Sequence, residues 1–152
     1  MKQLVRAVIS DKRSVPFNVA GTGTITTNGI KIIGTGTLFS TELQAGAYLV
    51  NLSTNEAIKV YRQDTDTKAF LEKPFSSNIS VAAAPQIISK AKAKVKEIKL
   101  QTAGACFIDG VAFTGTEDYN KNGDHKSGRP NLIEPIIVDA TGSTVTVDII
   151  NY

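Results

Sequence analysis

Four groups of residues have types and spacings that could do chemistry. They are a repeated glycine-threonine motif, an Asp/Asn-rich loop, one histidine and a run of alternating lysines. Gly-Thr-Gly-Thr stands at 21–24 and again at 34–37, and glycine-rich turns can cradle phosphates. A P-loop needs G-x-x-x-x-G-K-[ST], and no lysine follows Gly36 at that place. A dinucleotide fingerprint needs a third glycine, where Thr26 and Phe39 stand instead. The β-branched and aromatic residues after each copy favour a strand or turn over a helix. Tight β-turns are therefore expected, and no nucleotide cofactor.

The stretch "DYNKNGDHKSGR" (118–129) begins like a calcium loop, with Asp118, Asn120, Asn122 and Gly123 in the D-x-[DN]-x-[DN]-G pattern. The twelfth position, which normally supplies a bidentate carboxylate, is Arg129. Asp118, Asn120, Asn122 and Asp124 thus form a weak metal set, and an ordinary polar loop is the plainer reading. Its length suits an arm ordered by a neighbouring subunit. His125, the only histidine, lies in this polar loop with no apolar wall to tune it. The carboxylates are scattered, so no acid-base pair stands out and no enzyme is expected.

In "SKAKAKVKEIK", Lys90, Lys92, Lys94 and Lys96 fall at every second position. On a strand these four would share one face, with Ala91, Ala93 and Val95 on the other. Two readings stay open: lysines guarding a sheet edge, or a basic stripe docking on an acidic partner. Single-stranded nucleic acid is disfavoured because no aromatic residues interleave. A net charge of +3 does not decide between them.

The elements that must position these residues read as strands. The alternating or β-branched runs are 3–10, 29–36, 47–52, 56–63, 68–73, 78–88, 92–102, 105–115, 134–140 and 143–152. Turn signals such as "TNG", "QDTDT" and "ATGS" separate them. The expected fold is all-β, a small barrel or sandwich of short antiparallel strands with little or no helix. Only "STELQAG" (40–46) suits a helical turn, capped by Ser40 or Thr41 and closed by Gly46. The 152 residues fit one compact unit, with sub-lobes at 18–88 and 90–152 as the alternative. A single cysteine, Cys106, permits no internal disulfide and is expected to pack as a small apolar side chain in a reducing compartment. No run reaches the roughly 18 apolar residues of a membrane helix, and the charged start does not read as a cleaved leader.

Residues 34–75 carry a resemblance. Gly36-Thr37 is followed by Phe39, Leu43 and Gly46, then by Ile58 and Val60, an Asp64-Thr65 turn, Phe70-Leu71 and Pro74-Phe75. This pattern resembles a small β-barrel module recurrent in structural proteins of tailed-bacteriophage virions. Ala47 departs from it, since an acidic residue usually follows the glycine. The resemblance implies a non-enzymatic virion component, assembled in the host cytoplasm and built from several copies of itself. An auxiliary or decoration protein contacting the major capsid protein is expected. The alternative is a ring or adaptor protein among the neck and tail rings of the head-tail connector region. A carbohydrate-binding module fits less well, because tryptophan is absent.

Overall fold

The structure is a computed structural model that describes residues 3–93, 97–120 and 135–151. The fold is all-β, with two antiparallel sheets, one of them nearly barrel-shaped. The chain divides into two compact units, residues 17–93 and residues 1–16 with 94–152. The first two strands therefore belong with the C-terminal strands, and the barrel unit is inserted in sequence between them.

The barrel unit uses β3 (Val19–Ala20), β4 (Thr24–Asn28), β5 (Lys31–Thr35), α1 (Phe39–Glu42), β6 (Tyr48–Asn51), β7 (Glu56–Thr65), β8 (Lys68–Leu71) and β9 (Gln86–Ile88). Its strand order is β3-β9-β6-β7-β8-β5-β4. Backbone bonds Gly21 N–H to Pro85 O, Ile25 N–H to Ala83 O and Thr27 N–H to Ile79 O run the 79–85 stretch along β4. They bring the two ends of the sheet together and leave few open edges. Ile25, Ile32, Phe39, Leu43, Leu49, Ile58, Val60, Leu71 and Phe75 fill the interior. Burying each large side chain contributes roughly 1.5–3 kcal/mol.

Both glycine-threonine motifs serve this interior. In the first, Gly23 has φ +76°, and the β4–β5 hairpin follows, turning at Gly29 with φ +60°. In the second, Gly34 leaves room for the ring of Phe39, because a β-carbon there would stand 2.9 Å from Phe39 Cζ. Phe39 and Leu43 enter the core, and Gly46 then turns the chain at φ +97°.

The other unit is one sheet built from β1 (Gln3–Ile9), β2 (Lys12–Val15), β10 (Glu97–Ile108), β11 (Val111–Asn120), β12 (Ile136–Asp139) and β13 (Val145–Asn151). The order is β1-β13-β10-β12-β2, with β11 also paired to β10. β10 changes partner along its length, from β13 at 97–102 to β12 at 107–108. A register shift between Thr102 and Cys106 makes that change, since a bulge bends its strand. The Thr102 hydroxyl donates to Thr144 O (2.9 Å) and accepts from Gly104 N–H (3.2 Å), so this buried polar group is satisfied. Cys106 is buried beside it, as a small packing side chain.

Several expectations are corrected. The strand expected at 92–102 begins at Glu97 and continues to Ile108. The run 105–115 is two strands, divided by Asp109 (φ 51°) and Gly110 (φ 85°), the positive-φ pair that a tight hairpin turn requires. Of 78–88 only Gln86–Ile88 is strand, and β2 and β3 were not anticipated as strands. The turn after β7 uses Asp66-Thr67 rather than Asp64-Thr65, which lie in the strand. Leu38 stands at the N-cap of α1, not Ser40 or Thr41. The capping acceptor comes from outside the helix: Asp66 Oδ1 takes hydrogen bonds from Ser40 N–H (2.9 Å) and Ser40 Oγ (2.5 Å).

Candidate functional site

The first glycine motif is already engaged within the chain. Glu42 Oε1 accepts from Thr22 N–H (2.9 Å), and its Oε2 accepts from the Thr22 hydroxyl (3.0 Å). A carboxylate thus occupies the position beside the Thr22 amide where a phosphate-binding turn would hold its anion.

The lysine run does not form a strand stripe where it is described. Residues 90–93 are a turn, closed by Ala93 N–H donating to Ser89 O (3.0 Å). A turn does not alternate its side chains across two faces, so Lys90 and Lys92 share no strand face. The stem of Lys90 lies over Gly46, with its Cγ 3.2 Å from where a β-carbon would stand. Lys92 lines a small cleft with Val19, Thr41, Glu42 and Ile87. Lys94 and Lys96 lie outside the described residues.

The backbones of Asp118 and Asn120 are in β11, while Asn122, Asp124 and His125 lie outside the described residues. Among the described residues no group of three or more His, Cys, Asp or Glu side chains comes together. No helix among them is long and apolar enough to cross a membrane.

Two further concave features are formed by described residues, one in each unit. A cavity of about 410 Å³ in the barrel unit is bounded by Val50, Asn51, Ser53, Asn78, Ser80 and Val81. Its lining is amides, hydroxyls and aliphatic groups, with no ionisable side chain to act as acid or base. The second is a trough of about 580 Å³ on the sheet unit, lined by Arg6, Val8, Lys99, Gln101, Thr116 and Asp148 among others.

The trough is organised by charge. Alternation along β13 and β10 buries Val145, Val147, Ile149, Ile98 and Leu100, so Asp148 and Lys99 fall on the opposite face. Arg6 is paired with Asp148 by strand register, and its guanidinium grips the carboxylate with Nε–Oδ1 2.7 Å and Nη2–Oδ2 2.9 Å. The Arg6 hydrogen bonds, with the charges of Arg6 and Lys99, hold the Asp148 carboxyl below the usual carboxylate range. Register also sets Lys99 between Asp148 on β13 and Asp118 on β11. A cross-strand row therefore reads Arg6, Asp148, Lys99, with charges alternating across β1, β13 and β10. Sequence reading missed it: its members come from three strands, and Arg6 and Asp148 are 142 residues apart.

No known protein family, curated protein or solved structure matches this chain.

Proposed function

We propose that the protein is a non-enzymatic structural component of a tailed-phage virion, an auxiliary or decoration protein of the capsid. One observation carries the reading. Of the residues that make 34–75 resemble a virion β-barrel module, Phe39, Leu43, Ile58, Val60, Leu71 and Phe75 lie in this barrel's core, and Gly46 turns the chain at a positive φ.

On this reading the two units act as rigid surfaces. Sheets packed on apolar faces hold exposed side chains in fixed positions, which suits a lattice contact repeated many times. The expected location is the virion, assembled in the host cytoplasm, with copies of itself and the major capsid protein as partners. The ring or adaptor role at the neck or tail is the competing placement.

Gold-labelled antibody against the chain, applied to gradient-purified particles of the encoding phage, tests the placement. Label spread over the head is expected. Label confined to the neck or tail would replace the capsid role by the ring role, and unlabelled particles would overturn both.

A further inference from the structure

The outer face of the barrel unit gathers cations and aromatic rings on three neighbouring strands. Ile32 on β5, Ala69 and Leu71 on β8, and Val60 on β7 are buried, so alternation turns Lys31, Ile33, Lys68 and Phe70 outward. On β7 a register shift between Val60 and Arg62 inserts one extra residue, and Tyr61 and Arg62 are both exposed. Register sets Phe70 between Lys31 on β5 and Arg62 on β7, and Ile33 beside Lys68. Neighbouring strands lie about 4.8 Å apart, so the row from Lys31 to Arg62 spans about 10 Å.

The planar groups of this row are held in place. Arg62 Cζ stands 4.4 Å from the centre of the Phe70 ring, and Lys68 Nζ stands 5.8 Å from it. Arg62 Nε also lies 2.7 Å from Asp64 Oδ1, so the guanidinium is fixed from a second side. The Arg62 side chain is still 54% exposed, and Tyr61 next to it is 63% exposed. The acidic residues of these strands and of the β7–β8 turn accept bonds from their own neighbours: Glu56 from Ser76, Asp64 from Arg62 and Asp66 from Ser40. Glu72 N–H donates to Lys59 O (2.9 Å) past the end of β8, which sets those two opposite charges beside each other. The row itself carries Lys31, Arg62 and Lys68 against the one carboxylate of Asp64.

We infer that this face binds single-stranded nucleic acid. Lys31 and Lys68 meet the phosphates. Bases stack on Tyr61 and on the exposed side of the Arg62 guanidinium, whose other side lies on Phe70. Single-strand sites combine these two elements, cations along the backbone and aromatic or guanidinium planes for the bases. An acidic protein surface would match the cations but would leave the planes unused. The lysine run at 90–96 lacks interleaved aromatic residues; on this face, strand register supplies them from residues distant in sequence. Such binding is a property of the barrel unit and does not depend on where the protein sits in a particle.

Fluorescence anisotropy of a fluorescein-labelled oligothymidylate of about 16 nucleotides, titrated with the full-length chain over a salt series, tests this. Saturable binding that weakens with salt is expected. Tyr61→Leu should weaken it about fivefold or more and leave the salt slope unchanged, because it removes stacking alone. Lys31→Gln with Lys68→Gln should flatten the log–log salt slope by about 1.4, the loss of two phosphate contacts on a single strand. These side chains are exposed, so each variant should keep its melting temperature, and the lysine variant carries the comparison if the Tyr61 variant misfolds. No binding by the wild type, or folded variants that bind as the wild type does, would overturn the inference. So would a duplex that binds as tightly as the single strand, or polyglutamate that competes as well as unlabelled oligothymidylate, the last result pointing to an acidic protein partner instead.

Discussion

Gly34 and Phe39 share one volume: a β-carbon on Gly34 would stand 2.9 Å from Phe39 Cζ and would also meet the side chain of Thr37. The second glycine-threonine motif is thus a packing device. It leaves the β5 backbone bare so that the aromatic five residues later can lie against it at the barrel core. Two substitutions test this from opposite sides. Gly34→Ala overpacks the site and is expected to cost about 1–3 kcal/mol. Phe39→Ala empties it and is expected to cost about 3–5 kcal/mol, a large share of a domain's stability. Urea unfolding measures both, and an unchanged midpoint for Phe39→Ala would remove the ring from the core.

Asp66 supplies the acceptor that α1 lacks at its own N-cap. Asp66→Ala leaves the Ser40 amide and hydroxyl without that partner, so the melting temperature should fall. Asp66→Asn keeps an acceptor oxygen and should fall less. Equal losses for the two would show that acceptor geometry at Ser40 does not matter.

Acid should weaken the fold in a defined direction. The Asp66 carboxyl is lowered by hydrogen bonds from Ser40, that of Asp139 by hydrogen bonds from Thr141, and that of Asp148 by those from Arg6. In the unfolded chain these groups take up protons at higher pH than in the folded one, so protonation favours unfolding. Their contribution is complete above the ordinary Asp pKa of about 3.9 and is lost as pH falls through the depressed folded values. All three lie near solvent, so the effect of each is small. Calorimetry from neutral to acid pH should show a Tm that is level and then falls below about pH 5. The fall should be shallower in Asp148→Asn. A Tm that rises on acidification would contradict the assignment.

What could be read from the sequence was local. Phe39, Leu43 and Gly46 lie within eight residues, and a turn places such neighbours without help from distant strands. The Asp109-Gly110 turn was also written locally, but "ACFIDGVAF" is apolar on both sides and reads as one continuous strand. The alternating lysines misled for the converse reason. Period-two spacing fits a strand, yet the Ser89–Ala93 hydrogen bond closes a turn over Lys90 and Lys92. The row from Arg6 to Lys99 was not legible at all. It depends on two strand registers, and no spacing in the sequence encodes which residues of distant strands lie side by side.

The copy number of the chain in purified particles tests the proposed function most directly. Quantitative mass spectrometry with isotope-labelled peptides would measure it against the major capsid protein. A count in the hundreds, in simple proportion to the capsid lattice, is the expected result. About a dozen copies, as cyclic assemblies hold, would move the protein to a neck or tail ring. Its absence from washed, infectious particles would contradict a virion role altogether.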